Sequence, residues 1–169
     1  MTQGDSESRI HLSELLAKFD TAMLVTRAAD GNLRARPLSF AGEHDGRLIF
    51  STAADSPKVA ELESDPRVAV TMQDSARYVS ISGTAEVTDD RTLVDRLWRE
   101  SWRVWFPGGK DDPTLRLLGV TPVAAEYWDQ SGPRGIKYLV QMARAYATGT
   151  KPTSGASSDN VKVPIKNRP

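Results

Sequence analysis

The chain has 169 residues with 22 basic and 22 acidic side chains, and this zero net charge gives no reason to expect nucleic acid or an anionic membrane as a partner. It contains no cysteine, which excludes disulfides and cysteine nucleophiles, and its two histidines, His11 and His44, are too far apart in sequence to indicate a metal cluster. The length predicts one domain, and the lack of a signal-peptide pattern or of any apolar run of about 20 residues predicts a cytoplasmic protein without a membrane span.

The N-terminal part is predicted to form one helix after a disordered start. Residues 1–9 are polar and show no apolar period. The next apolar side chains recur at the spacing of one helix face: Leu12, Leu15, Leu16 and Phe19. This spacing predicts a helix over residues 12–19.

Short β-rich runs separated by turns follow this helix and indicate six strands. They cover residues 22–27, 33–40, 47–52, 67–73, 78–88 and 123–129. Asp30, Gly31 and Asn32 favour a hairpin turn between the first two runs. Because there is little helix between most of the strands, we expect a mainly β fold with flanking helices, in which the strands form a largely antiparallel barrel.

Helices and a polar linker are predicted around the sixth strand. One helical period before this strand comprises Val94, Leu97, Trp98 and Ser101. A second stripe after Trp128 comprises Ile136, Leu139, Val140, Ala143, Tyr146 and Ala147. The domain is therefore predicted to span residues 10–150, with a flexible linker and a basic C-terminal tail over 151–169. The end of this tail is expected either to add a short edge strand or to remain in solvent.

The junction between the third strand and the next helix gathers hydroxyl groups and a lysine. Ser51 and Thr52 end the strand, and Ser56, Pro57 and Lys58 open the helix. Serine at the N-cap and proline at the first helical position explain the junction on local grounds, and this interpretation is favoured when the junction is taken alone. The functional interpretation is that the hydroxyls, the ammonium and the free amides of the helix start bind one anion.

A second cation and a free strand edge strengthen the functional interpretation. Arg36 lies on the second strand, on the same face as Arg34. Pro37 follows it, and proline within a sheet is confined to edges and bulges. At such an edge the backbone groups of residues like Leu38 and Ser39 are free to contact a planar heterocycle with carbonyls and ring nitrogens. This edge and the junction together predict a nucleotide-like site.

The tryptophans have a structural interpretation and a functional one. Trp98, Trp102 and Trp105 are spaced as one helix face, which favours core packing. Trp105 and Trp128 also lie at element ends, where an indole can cover a flat ligand. We keep both interpretations for these last two residues.

Neither a metal site nor a catalytic side chain is predicted. Asp111 and Asp112 precede Pro113, and a loop end explains them without a metal. The chain has no P-loop, no G-x-G-x-x-G, no G-x-S-x-G and no H-E-x-x-H motif. Any chemistry is therefore expected to be performed by a cofactor.

Four segments occur in an order that resembles a known family: "AMLVTRAADGNLRARPLSF", "LIFSTAADSPKVAELESDPRVAVTM", "YVSISGTAEV" and "WFPGGKDDPTLRLLGVTPVAAEYWD". In this order they resemble bacterial general stress proteins, which belong to the pyridoxamine 5′-phosphate oxidase-like, FMN-binding split barrels. The resemblance covers about residues 10–150. It implies a six-stranded antiparallel split β-barrel, usually a homodimer with flavin at the subunit interface.

The resemblance also implies the cofactor and its contacts. The cofactor is FMN, with FAD as the alternative flavin. The implied contacts are Arg36, Ser56 and Lys58 at the phosphate, Pro37, Leu38 and Ser39 along the isoalloxazine edge, Ser51 and Thr52 beneath the ring, and, as less specific transfers from the other subunit, Trp105 and Trp128.

The chain departs from the oxidases at two places. Pro57 stands where they have a basic residue before the lysine, and their C-terminal arginine-containing substrate motif is missing. The general stress branch is thus the better match, and oxidation of vitamin B6 is disfavoured. We expect an FMN-binding general stress protein, either a flavin-dependent oxidoreductase of unknown substrate or a non-catalytic flavin binder or sensor. A split barrel that binds deazaflavin or haem is the remaining alternative.

Overall fold

The computed structural model describes residues 3–131, 144 and 160–165. The helices and strands in these residues are α1 (Gln3–Leu16), β1 (Thr21–Arg27), β2 (Leu33–His44), β3 (Arg47–Ala53), α2 (Pro57–Ser64), β4 (Arg67–Gln73), β5 (Arg77–Thr88), α3 (Arg91–Leu97), β6 (Leu115–Asp129) and β7 (Val161–Val163). Two short 3₁₀ helices, Glu100–Val104 and Gly109–Asp111, lie between α3 and β6. No helix among these residues is long and apolar enough to cross a membrane.

Six strands close into an antiparallel barrel, which confirms the predicted fold class. The strands pair in the order β3–β2–β1–β4–β5–β6, and β6 pairs again with β3. One edge of β6 is shared, because its first half pairs with β3 and its second half with β7. The wall of the barrel splits where β6 leaves β3. Of the two alternatives for the C-terminal tail, the short edge strand is present, and it is β7.

Two apolar clusters hold the barrel. The larger one fills the barrel and includes the buried face of α1, with Leu15, Leu24 and Phe50 completely buried. The smaller one lies outside the barrel wall, where Trp102 and Phe106 pack with residues of α3, β3 and β6. The barrel wall formed by β3 and β6 is therefore buried on both faces.

Helix α1 starts and ends earlier than the sequence predicts. Residues 3–9, expected to be disordered, form its first turns. Asp5 lies in the first turn, where a carboxylate interacts favourably with the helix dipole. The buried leucines anchor the helix, and a helix once formed extends through polar residues that show no apolar period. Phe19 lies beyond the helix end and is still buried in the core.

The segment that contains the tryptophans is not the single helix that their spacing predicts. α3 ends at Leu97, because the backbone at Trp98 is extended, with ψ at 135°. Trp102 is buried, as the packing interpretation predicts, whereas Trp105 is 74% exposed. The three indoles consequently do not share one face.

Strand β6 begins at Leu115, eight residues before its predicted start at residue 123. Leu115, Leu117, Leu118 and Val120 are all fully buried. Because both faces of this half are covered, the sequence lacks the alternation that identifies a half-exposed strand. Two predicted segments lie outside the described residues. They are the helix over 136–147, of which only Arg144 is described, and the linker over 151–159.

Candidate anion-binding site

The first half of β2 forms one side of the candidate site. Residues 33–39 pair with β1, whereas the pairing of β2 with β3 begins only at Phe40. The other edge of this half has no strand partner in the part of the chain that the structure describes, as the position of Pro37 predicts. Arg36 is opposite the buried Leu24 in the ladder, so it lies on the inward face of the sheet together with Arg34.

The end of β3 and the start of α2 form the other side. Ser56 is the N-cap and Pro57 the first residue of α2, as predicted. The Ser56 hydroxyl makes no capping hydrogen bond. Instead, the Lys58 ammonium donates to Ser56 Oγ at 2.5 Å and to Thr52 Oγ1 at 3.2 Å. The Ser56 side chain therefore contacts the lysine and not the helix amides.

A cleft of about 510 Å³ lies between β2 and α2. It is lined by Arg34, Ala35, Arg36, Ser56, Pro57, Lys58 and Glu61. Three of these side chains are cations and one is a carboxylate, so the lining has a net positive charge. Such a cleft, with hydroxyl, guanidinium and ammonium donors, fits a phosphate group.

Glu61 is a member of this site that the sequence analysis missed. It is 8% exposed, and its Oε2 accepts hydrogen bonds from Arg36 Nη1 at 2.7 Å and from Thr26 Oγ1 at 2.5 Å. Thr26 is 1% exposed and follows Ala22 and Leu24 on the inward face of β1. A hydroxyl at this inward position was the available signal, because a buried polar group needs a partner.

The charges of the cleft affect the pKa values of two groups. Burial, and next the charge of Arg36, lower the pKa of Lys58, while Glu61 and Asp55 act in the opposite direction. The hydrogen bond from Arg36 lowers the pKa of Glu61 against the effect of burial. Glu61 is therefore ionised at neutral pH. Lys58 makes no ion pair with any described residue, and a bound anion would stabilise its charged form.

The remaining positions predicted along the cofactor have different relations to the cleft. Pro37, Leu38 and Ser39 continue β2 from Arg36 along its unpaired edge and do not line the cleft. Ser51 precedes Thr52 on β3 and is 8% exposed, in register with Leu117. These four residues are neighbours of the cleft in sequence and not part of its lining.

Neither Trp105 nor Trp128 lines the cleft of its own chain. Trp105 caps a 3₁₀ helix and is largely exposed. Trp128 is half-buried opposite Tyr78 in the ladder between β5 and β6. Their assignment to a second copy of the chain stays a prediction.

Asp112, the second of the two aspartates before Pro113, has the structural role that the sequence indicates. Asp112 accepts hydrogen bonds from Gly108 N at 3.1 Å, from Thr114 N at 2.9 Å and from Thr114 Oγ1 at 2.7 Å. The bonds from Thr114 lower the pKa of Asp112. No cluster of potential metal ligands occurs among the described residues.

We expect Asp112→Ala to lower the melting temperature, because three donors lose their acceptor. Folding lowers the pKa of Asp112, so its stabilising effect is complete above the ordinary value of 3.8 and is lost as the pH falls through the folded-state pKa. Melting curves from pH 7 to pH 3 should show a difference from the wild type that shrinks below pH 4. Asp111→Ala, at an exposed neighbour, is the control. An equal loss in both variants would contradict the role of Asp112.

A six-stranded antiparallel barrel whose wall splits along β6 is the architecture of the split-barrel proteins. Residues 7–153 match the family model described as "Pyridoxamine 5'-phosphate oxidase like". The chain belongs to this family, and the resemblance stated from the sequence is confirmed.

Three similar proteins illustrate the relationship. Protein bli-3 of Neurospora crassa is 30% identical over 129 residues, 69% of this chain and 62% of that protein. General stress protein 26 of Bacillus subtilis is 32% identical over 85 residues, 47% of this chain and 60% of that protein. The matches thus span less than two thirds of these two relatives. The crystal structure of the general stress FMN/FAD binding protein of Xanthomonas citri is 31% identical, with a TM-score of 0.65, and the match covers 75% of this chain and 92% of that one.

Proposed function

We propose that this chain is a flavin-binding protein of the general stress type that holds the phosphate of FMN in the cleft between β2 and α2. The observation that supports this most is the convergence of Arg36, Ser56 and Lys58 from two separate elements on one cleft. The similar protein from Xanthomonas citri is a general stress FMN/FAD binding protein, which favours flavin over other phosphorylated ligands.

The charge of the cleft supports a phosphomonoester as the bound group. Such a group has a charge of roughly −1.5 to −2 at neutral pH. Among the described lining residues, Arg34, Arg36 and Lys58 outnumber the carboxylate of Glu61, and the site keeps a net positive charge even when Asp30, the partner of Arg34 outside the lining, is included. A terminal phosphate has the opposite charge, and FMN ends in such a group.

The unpaired edge of β2 supports the position proposed for the ring. From Arg36 the chain runs through Pro37 to Ser39, and no strand among the described residues pairs with it on that side. Backbone groups on such an edge can form hydrogen bonds with ring carbonyls and nitrogens of an isoalloxazine. Ser51 and Thr52 at the end of β3 are proposed to lie beneath this ring.

A homodimer is the second part of the proposal, and it is supported by the outer face of the barrel. One row across five strands is uncharged and consists of Ala35, Val25, Ala69, Ser82 and Ala124. The next row is uncharged except at its end and consists of Pro37, Met23, Thr71, Ser80 and Glu126. We call these two rows the outer sheet face. Depletion of charged side chains is typical of the centre of a protein interface, and the exposed Met23 belongs to a residue type that is enriched there.

The outer sheet face also adjoins the cleft, because Ala35 belongs to both. A second copy that packs on this face would cover the ring of a flavin whose phosphate lies in the cleft. A second copy is also required for the contacts that the resemblance implies between Trp105 or Trp128 and the ring, because neither residue lines the cleft of its own chain.

We expect Met23→Glu to convert a dimer into a monomer in light scattering coupled to gel filtration, since it places a charge within the outer sheet face, between Pro37 and Thr71. Met23 is 38% exposed in the single chain, so the substitution does not require a buried charge in the monomer. Ile10→Glu on α1, at a side chain 58% exposed, is the matched control and should remain dimeric. A dimer that survives Met23→Glu would show that this face is not the interface.

The cofactor, and not a side chain, is proposed to perform any redox chemistry. Glu61 is the one carboxylate among the described residues that line the cleft, and it is engaged with Arg36 and Thr26. This favours binding or sensing of flavin without turnover as the second candidate function. Stopped-flow oxidation of NADH or NADPH in the presence of FMN separates the two. Sustained turnover indicates an oxidoreductase, and binding without turnover indicates a binder.

An absorbance spectrum of the purified protein from 300 to 700 nm, followed by titration with FMN, tests the proposed function. We expect either a flavin spectrum or saturable quenching of tryptophan fluorescence by added FMN. A folded sample that gives neither signal would contradict the flavin proposal, and deazaflavin and haem would be titrated next.

A further inference from the structure

We propose that Glu61 is a positioning residue for the phosphate of the bound ligand. It holds the Arg36 guanidinium by one nitrogen and leaves the other N–H donors to the anion. This inference rests on the proposed phosphate site, and it assigns a role to a residue that neither the sequence motifs nor the family resemblance singled out.

The geometry of Glu61 supports positioning. Its carboxylate is fixed from below by Thr26, a hydroxyl that is 1% exposed on β1, and it contacts Arg36 at Nη1 only. Arginine has five N–H donors in a rigid fork. Within residues 3–131, 144 and 160–165, no other hydrogen bond of the Arg36 side chain is formed. The remaining donors are thus available on the cleft side, where Lys58 and Ser56 lie.

The physical effect of this contact is to restrict Arg36 before the anion binds. A free arginine side chain loses conformational freedom when it contacts a ligand, which weakens binding. Arg36 is only 22% exposed at its side chain and already bound to a buried acid. Most of its freedom is therefore lost on folding instead of on binding. The negative charge of Glu61 acts the other way, since it repels a phosphate.

Two neutral substitutions separate these effects. Glu61→Gln removes the charge and keeps an oxygen that accepts from Arg36 and Thr26, whereas Glu61→Ala removes both charge and acceptor. We expect Glu61→Gln to bind FMN at least as tightly as the wild type. We expect Glu61→Ala to bind FMN about fivefold to tenfold more weakly than Glu61→Gln, the effect of one side chain that must be immobilised.

Riboflavin, which lacks the phosphate, is the matched ligand control. Its dissociation constant should be the same for Glu61→Gln and Glu61→Ala, because Arg36 is proposed to contact only the phosphate. Equal affinities of the two variants for FMN would overturn the positioning role. A parallel loss of FMN and riboflavin affinity would also overturn it, because a general structural defect affects both ligands.

Two further measurements apply if Glu61→Ala does not fold or if the wild-type protein does not bind FMN. Where Glu61→Ala does not fold, Thr26→Val removes the bond that fixes Glu61 and should weaken FMN binding by about twofold to threefold with riboflavin unchanged; no change would overturn the inference. Where the wild type does not bind FMN, the proposed function fails, and the thermal shift caused by inorganic phosphate decides about Glu61. In that case inorganic phosphate should raise the melting temperature of the wild type and of Glu61→Gln but not that of Glu61→Ala. Any other pattern overturns the inference.

Discussion

Replacement of Arg36 and Lys58 together by alanine is expected to weaken FMN binding by a factor on the order of 10² to 10⁴. Each of the two cations can form a charge-assisted hydrogen bond with the phosphate, and such a bond contributes about 1.5 to 3 kcal/mol. Two such bonds give about 3 to 6 kcal/mol, which corresponds to this loss of affinity. Fluorescence titration with FMN measures the effect, and circular dichroism establishes that the double variant is folded.

The single variant Lys58→Ala separates the loss of a ligand contact from damage to the protein. Removal of Arg36 leaves the buried Glu61 with Thr26 as its remaining described donor, so the double variant is also expected to be less stable. Lys58 makes no ion pair among the described residues, and its replacement should reduce affinity with little change in melting temperature. Arg103→Ala with Lys110→Ala, at two half-exposed cations outside the cleft, is the control for general charge. An unchanged affinity in Arg36→Ala/Lys58→Ala would refute the phosphate site.

Gly83→Ala is expected to cause the largest loss of stability from a single added methyl group. A Cβ atom at residue 83 would lie 2.3 Å from the carbonyl oxygen of Thr121, far inside contact distance. The approach is close because β6 bulges here, since Ser82 pairs with Ala124 and Gly83 with Pro122, which leaves Val123 as the extra residue. The oxygen belongs to the backbone, so relief of the clash requires a shift of β5 against β6.

We expect this shift to cost about 2 to 3 kcal/mol, the upper part of the range for overpacked cores. For a chain of this length that corresponds to a fall in melting temperature of about 5 to 10 °C. Gly119→Ala on β6 is the matched control, because the atoms nearest to a Cβ there are side-chain atoms of Arg47 and Ile49 on β3, at 3.5 Å or more. Equal melting temperatures of Gly83→Ala and Gly119→Ala would contradict the close approach at the bulge.

The sequence predicts an element correctly where the pattern of apolar and turn residues results from contacts within one segment of the chain. The alternation in β5 and the turn chemistry at Asp30 to Asn32 arise from local contacts, and the structure has a strand and a hairpin there. The start of β6 at Leu115 could not be predicted in this way, because burial of both faces by two separate clusters removes the alternation. The end of α3 before Trp98 could not be predicted either, because the spacing of the tryptophans carries no information about the tertiary packing of this segment.

The candidate site shows the same division. Ser56, Pro57 and Lys58 form a local junction, and the sequence was sufficient to predict it. Arg36 joins them because β2 passes beyond β3, which was predicted only through the proline that follows it. Glu61 was missed since its partners, Thr26 and Arg36, come from two other strands, and a single acid on a short helix resembles an ordinary solvated residue.

Comparison of the FMN and riboflavin affinities of the wild-type protein tests whether the cleft between β2 and α2 binds a phosphate. The two ligands share the ring and differ in the phosphate, so the ratio of their dissociation constants isolates the proposed cleft. If the cleft between β2 and α2 holds the phosphate, FMN should bind at least 100-fold more tightly, as two charged hydrogen bonds require. Equal affinity for FMN and riboflavin would contradict the account, because it would show that the cleft does not bind the phosphate.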